Sequence, residues 1–456
     1  MSNYSLATEP NESNIKEALQ NDLLSTNSWL NKCLNVLLNM DDSIVAIDAK
    51  WGNGKTYVAK QMQEIINEKW MLQAGKQQKS YLSQVSSLYF DNLPLASSFA
   101  IYYNAWEYDN DNNPMASFLY FLLKELNKKI GSSNFEKIAS SFIKNVIEKL
   151  TDGWIKISKD VQKSNLEDVL SSVLSTEFIK EEISNLIQEL KSEKCNKLII
   201  FIDELDRCRP NYALKLIEVI KHYFKRTDVL VVCLTDVEQL SYIIENVYGT
   251  NISSYLYLDK IFDFRFEIPV NKINYVRYIA HKLPYHLQDN YFFDMICLEI
   301  INDLNLSLRN IDRFLAYLKS LFLTTKKSGD MDFPLRGLLQ FFFTPYYLSL
   351  KLFDIKKLNA LKNYDFSYVL SFCQRKKVKD RMNQIYSMAL GDKYVAGDLN
   401  EYLKHDLKRI IKFINEGEND REELIVGQRY FVSLESFIEE IDLLSSFVDG
   451  INQSSY

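Results

Sequence analysis

Apolar residues along this chain follow two patterns. Over residues 14–40 they recur at helical spacing, with Leu23, Leu24, Trp29, Leu30, Cys33, Leu34, Leu37 and Leu38 on one broad face, which predicts a single amphipathic helix. Elsewhere short unbroken runs stand between polar or turn residues, the pattern of strands buried on both faces of a parallel sheet. Four such runs cover residues 44–47, 98–103, 197–202 and 229–234, and a weaker fifth covers 263–268 before Pro269. Helix-compatible stretches at 58–74, 212–226 and 237–248 alternate with them, so an α/β domain with helices on both sides of a parallel sheet is expected. Residues 1–12 read as disordered, 114–190 as helical throughout, and everything from 272 onward as helical.

Two of the runs deliver chemistry. The first leads into Lys50-Trp51-Gly52-Asn53-Gly54-Lys55-Thr56-Tyr57, followed by a helical stretch. Strand, glycine loop, Lys-Thr, helix is the arrangement that cradles a nucleoside triphosphate. Backbone N–H groups from Trp51 to Tyr57 would approach the phosphates, Lys55 would reach the β- and γ-phosphates, and Thr56 would offer its hydroxyl to Mg²⁺. Ala49 stands where the pattern wants its first glycine, which is tolerable while φ there stays negative. The third run ends in Asp203-Glu204-Leu205-Asp206-Arg207-Cys208-Arg209. There Asp203 would hold the metal side of the site and Glu204 would orient and deprotonate the attacking water. The fourth run ends in Thr235-Asp236, which either present a polar group to the γ-phosphate or cap the next helix.

Composition adds bounds. A chain of 456 residues with 47% hydrophobic residues, 13 Gly and 8 Pro has material for a large, mostly helical core. A net charge of −6 gives no support to non-specific nucleic-acid binding by the whole chain. The six cysteines form no Cys-x-x-Cys pair and the four histidines are scattered, so neither zinc nor a disulfide framework is indicated. The N-terminus has no signal-like pattern and no window approaches the ~18 apolar residues a bilayer span requires. A cytoplasmic location is expected.

With these stretches in view, the chain resembles the KAP family of P-loop NTPases, within the additional-strand group related to STAND ATPases. The likeness is carried by Trp51 inside the loop, Asn104-Ala105-Trp106 after an aromatic strand, and Asp203 to Cys208. It extends through Tyr257-Leu-Asp-Lys260-Ile261, Phe266-Glu-Ile-Pro269 and Leu308-Arg309-Asn-Ile-Asp-Arg313-Phe314. Together these span roughly residues 20–330. The resemblance implies an ATPase using ATP and Mg²⁺, with a helical insertion between the loop and the acids and a lid after the core. Kinship with soluble members implies a part in defence against bacteriophage, with a homo-oligomer or a separate effector protein as partner. Because of Ala49, slow hydrolysis is expected.

The expected architecture is therefore an α/β P-loop NTPase core with a parallel sheet flanked by helices, a large helical insertion and an all-α C-terminal domain. Its boundaries are read as an N-terminal helical segment over 1–40, the core over 41–270 with the insertion at about 110–195, a helical lid over 271–330 and a C-terminal helical domain over 331–456. A cation placed on the γ-phosphoryl oxygens is worth ~10³–10⁵ in rate. Arg207, Arg209, Lys260, Arg309 and Arg313 are candidates for it, with Arg309 favoured as a lid sensor and Arg207 as a finger to a neighbouring subunit. Salt bridges to Asp206, Asp259 or Asp312 are the plainer reading. Trp51 and Trp106 are expected to be packed, Trp51 under the loop and Trp106 between helix and sheet, with stacking on adenine as the alternative. The cluster Arg375, Lys376, Lys377, Lys379 and Arg381 reads as a solvated helix face, with nucleic-acid phosphate as the sharper reading. The apolar stretch 338–348 reads as a buried helix and turn, with a partner surface as the alternative.

Overall fold

The computed structural model describes residues 10–40, 42–75, 98–111, 113–130, 195–224, 229–249, 251–269, 275–283, 291–324 and 338–416, with scattered positions in 77–93 and 180–190. The helices expected over 131–179 and the disorder expected before residue 10 lie outside the described residues. The chain divides into two compact units, one of residues 9–273 and one from residue 274 onward.

In the first unit the four apolar runs and the fifth, weaker one become parallel strands: β1 (Ile44–Asp48), β2 (Ser98–Asn104), β3 (Lys197–Asp203), β4 (Val229–Thr235) and β5 (Phe264–Glu267). Their order is β2-β3-β4-β1-β5, so β4 lies between the loop strand and the acid-bearing strand. Because strand side chains alternate between faces, each run feeds two cores. Val45, Ile47, Ala100, Phe201 and Val232 pack with α1 (Glu12–Asn21), α2 (Asn27–Asn39) and α3 (Lys55–Gln73). Ile44, Ala46, Ile101, Ile200 and Val231 pack with α4 (Pro114–Ile130), α5 (Pro210–Val219), α6 (Val237–Tyr248) and α7 (Ser254–Asp259). On edge strand β2, the buried Asn67 of α3 both accepts from Ala100 N–H and donates to Ala100 O, at 2.8 Å each. A side-chain amide thus takes the place of a further strand.

The single helix expected over 14–40 is two helices. Asp22 and Ser25 adopt left-handed backbone (φ +43° and +56°). The Asp22 carboxylate accepts from Asn27 N–H (3.0 Å), and Asn27 donates to Leu19 O (2.8 Å). Local side-chain bonds compete with the helical ladder here, while the apolar face continues across the break and hides it from periodicity. Lys197, at the start of β3, donates to the carbonyls of Leu37, Leu38 and Met40 and so closes the end of α2.

The second unit is helical among its described residues: α8 (Tyr275–Lys282), α9 (Tyr291–Asp303), α10 (Leu308–Thr324), α11 (Thr344–Phe353), α12 (Ile355–Lys362), α13 (Ser367–Cys373), α14 (Lys376–Leu390) and α15 (Leu399–Glu416). Residues 338–350 are all buried, with a π-helical turn at Leu339–Phe343 leading into α11. That rules out a partner surface there in favour of the buried helix. Phe342 stacks on Tyr346, and Phe372 of α13 lies against both rings. Arg375, at the start of α14, pairs inward with Glu299 and Asp303 of α9 (3.4 and 2.5 Å).

Asp294 in the first turn of α9 is buried, and its Oδ1 has no hydrogen-bond partner. Burial pushes its carboxyl up to about 6. A carboxyl raised by folding contributes stability that is fully present below its unfolded value and is lost as pH rises through the folded one. Asp294→Asn should therefore raise the thermal midpoint at pH 8 and leave it unchanged near pH 4, read by circular dichroism at both pH values.

Candidate functional site

The parallel strands bring their C-terminal tips to one edge, and the turn from β1 to α3 lies along it. Gly52 and Gly54 have φ of +81° and +82°, which L side chains rarely adopt. Asn53 N–H closes the turn on Lys50 O (3.2 Å). Ala49 is not among the residues with positive φ, so its Cβ carries no backbone strain. Its N–H donates to Thr235 O (3.3 Å) and its carbonyl accepts from Lys55 Nζ (2.6 Å). Gly54 is the N-cap of α3, a 19-residue helix whose first-turn N–H groups border the loop. Tyr57 donates its hydroxyl to Asn14 O (2.7 Å) on α1, which ties the first turn of α3 to that helix.

Asp203 ends β3 and is fully buried. Its Oδ2 accepts from Thr56 Oγ1 (2.6 Å) and Tyr102 OH (2.9 Å), and its Oδ1 from Glu204 N–H (2.8 Å). Burial pushes this carboxyl up, while the three donors hold it down. Glu204 follows with φ +60°, a left-handed conformation that costs a non-glycine residue of order 1–3 kcal/mol. Burial, helped by the Asp203 charge, pushes the Glu204 carboxyl up to about 7 against the pull of Arg207.

Arg207, expected as a finger to a neighbouring subunit, is engaged within its own chain. It forms an ion pair with Glu204 rather than Asp206, and its guanidinium lies 5.7 Å from the Trp106 ring. Both tryptophans expected in the core are half exposed, Trp51 at 48% and Trp106 at 51%. Trp51 has a polar task that ring size alone does not announce. Its Nε1–H donates to Asp206 Oδ2 (2.5 Å), the same oxygen that accepts from Asp236 N–H (3.0 Å) and lies 3.6 Å from Lys55 Nζ. Arg209 is turned away, toward Asn110. Arg309 and Arg313 are exposed on α10 of the second unit, and Lys260 is exposed at the end of α7.

The pair after β4 divides. Asp236 caps α6 by accepting from Gln239 N–H (3.3 Å). Thr235 is fully buried and its hydroxyl has no hydrogen-bond partner, as is true of Asp206 Oδ1. Orphaned buried polar atoms on the rim of a phosphate-type loop are what a polar ligand would satisfy. Asp48 carries a role that sequence reading missed: Oδ1 accepts from Val237 N–H (3.0 Å) and Oδ2 from Arg265 of β5. Tyr102 was missed as well. Two positions before Asn104, it shares a sheet face with Asp203 on the neighbouring strand, a relation visible only once the β2–β3 register is known.

Residues 26–323 match the model of the KAP family P-loop domain. An uncharacterized protein of Methanocaldococcus jannaschii is 26% identical, the match covering 27% of this chain and 82% of that protein.

Tyr102→Phe removes one donor from a buried carboxylate and should cost about 1–3 kcal/mol of stability at neutral pH. Since the donor serves the ionised form, the loss should shrink as acid protonates Asp203. Urea unfolding at pH 7.5 and pH 4.5 measures both.

Proposed function

Because the chain belongs to the KAP family of P-loop domains, we propose that its first unit binds ATP with Mg²⁺ and hydrolyses the β–γ phosphoanhydride as a conformational switch. Support comes foremost from one observation: Thr56 Oγ1 and the Asp203 carboxylate meet at 2.6 Å beside a helix N-terminus, with Lys55 on the same loop. Two hard oxygen donors with a flanking ammonium suit a magnesium–triphosphate pair, whose metal is held by few protein groups and by phosphate oxygens. Thr56 and Asp203 would hold the metal, which when bound neutralises charge on the phosphates. The N–H groups of residues 51–57 and the Lys55 ammonium would bind the phosphates, and the unpartnered Thr235 hydroxyl would donate to one of them.

Glu204 would act as general base. A carboxyl near 7 is matched to taking a proton from water at neutral pH. Its pairing with Arg207 adds a condition, since the base must be released from the guanidinium before it serves water. Arg207 would then be free to face the γ-phosphoryl oxygens. The same pair also supports a second reading, a nucleotide-gated scaffold in which Glu204 stays engaged and turnover is minimal. Arg309 as a lid sensor, and a second copy or an effector chain as the responding partner, complete the proposal.

Lys55→Ala and Asp203→Asn should each abolish binding of a fluorescent ATP analogue in the presence of magnesium. Glu204→Gln should retain binding and lower phosphate release by about 10²-fold or more. Because the base works ionised, wild-type turnover should rise as pH passes through about 7, a limb missing from Glu204→Gln. Wild-type phosphate release no faster than that of Glu204→Gln leaves the scaffold reading.

A further inference from the structure

One stretch of the second unit runs against the acidic balance of the chain. Residues 351–416 hold 14 Lys and Arg against 8 Asp and Glu, a surplus of six positive charges in a chain of net charge −6. Three local features of this region oppose the stability of the fold that carries them.

The first is at the start of α14. Lys376, Lys377 and Lys379 occupy its opening turns, and no acidic residue stands in the first. Cations there face the positive end of the helix dipole. Arg375 is neutralised by Glu299 and Asp303, whereas Lys376 and Lys377 are exposed.

The second is a stripe on α15. Lys404, Lys408 and Lys412 are spaced four apart and exposed, hence on one face about 6 Å apart along the axis. Like charges at that spacing destabilise a helix. Lys404 has Glu401 at 2.8 Å, on the same helix.

The third is Tyr364. It follows the C-cap of α12 with φ +63°, where helices ordinarily use glycine. A bulky residue in that conformation is an outlier, and this one is 39% exposed, its ring meeting Phe366 edge-on at 6.4 Å.

Two hydrogen bonds join the three features into one face. Gln374 donates to Asn400 Oδ1 (2.8 Å), which sets the start of α14 beside the start of α15. Asn415 donates to Lys362 O (2.9 Å), which sets the end of α15 beside the end of α12 and Tyr364. The lysine stripe therefore runs from the α14 lysines to the aromatic ring, over about 22 Å of helix.

We propose that this face binds single-stranded nucleic acid, with the lysines of α14 and α15 on backbone phosphates and the Tyr364 ring stacked on a base. A polyanion relieves the repulsion on both helices. A duplex or an anionic lipid surface would satisfy the lysines equally but offers no free base face to the ring, so the exposed aromatic selects the single strand. The inference stands apart from the nucleotide reading of the first unit.

The test is fluorescence anisotropy of the full chain with a labelled 20-mer oligo(dT) and an RNA 20-mer over a series of potassium chloride concentrations. The matching duplex and phosphatidylserine vesicles serve as competitors. Single strands should bind with Kd rising with salt, and the competitors should displace them poorly. Lys376→Gln with Lys377→Gln, and separately Lys404→Gln with Lys408→Gln, should flatten the logarithmic salt slope by about 1.4 each. Tyr364→Asn, which suits the left-handed backbone, should weaken binding about fivefold or more and leave the salt slope unchanged. Thermal midpoints establish that each variant is folded, and the two lysine pairs test the face independently of position 364. Absence of single-strand binding by the wild type, an unchanged Kd in the folded variants, or equal displacement by duplex or vesicles overturns the proposal.

Discussion

A carboxylate that has lost its water must be given donors, and the first unit is arranged around that demand at Asp203. Its three donors come from three places: Thr56 on the first turn of α3, Tyr102 on β2, and the backbone of Glu204. Meeting them locks the phosphate-loop helix against the β2–β3 pair and fixes where the chain goes after β3. Three residues on, Asp206 repeats the device with Trp51, Lys55 and the start of α6. Two buried acids on one short turn thus position the loop from both sides, and the loop's glycines need only supply conformational freedom.

Much of the sheet was legible because interior parallel strands are apolar on both faces and read as short unbroken runs between turn residues. The weak fifth run became β5, an edge strand with Phe264, Arg265 and Glu267 exposed, and its dilute signal follows from that exposure, since β2 at the other edge is mostly buried. The break between α1 and α2 was not legible, since Asp22 and Asn27 end a helix through side-chain bonds that leave hydrophobic periodicity intact. Within the site, residue types pointed to Lys55, Thr56, Asp203 and Glu204, each close in the chain to a motif. Tyr102 and Asp203 are 101 positions apart, Trp51 and Asp206 are 155 apart, and only strand order and register bring them together. Large aromatic rings suggested burial for Trp51 and Trp106. An indole N–H seeking a carboxylate, and a ring beside a guanidinium, hold them at the surface instead.

Ala49 illustrates how a departure from a motif can be silent in structure. What that position supplies is main chain: an N–H to β4 and a carbonyl to the Lys55 ammonium. With φ outside the left-handed region, a methyl group changes neither.

The Lys197 ammonium that closes α2 bears on where the first unit begins. Three main-chain carbonyls from residues 37–40 serve this one cation at the mouth of β3. Leu30, Leu34 and Leu37 of the same helix line the layer beneath β1 and β3. A fragment cut just ahead of β1 would keep every phosphate-loop residue, yet thin the cover on one side of the sheet and remove three carbonyls that Lys197 donates to. The helical pair is thus an inner wall of the domain, and any minimal version of the first unit starts before it.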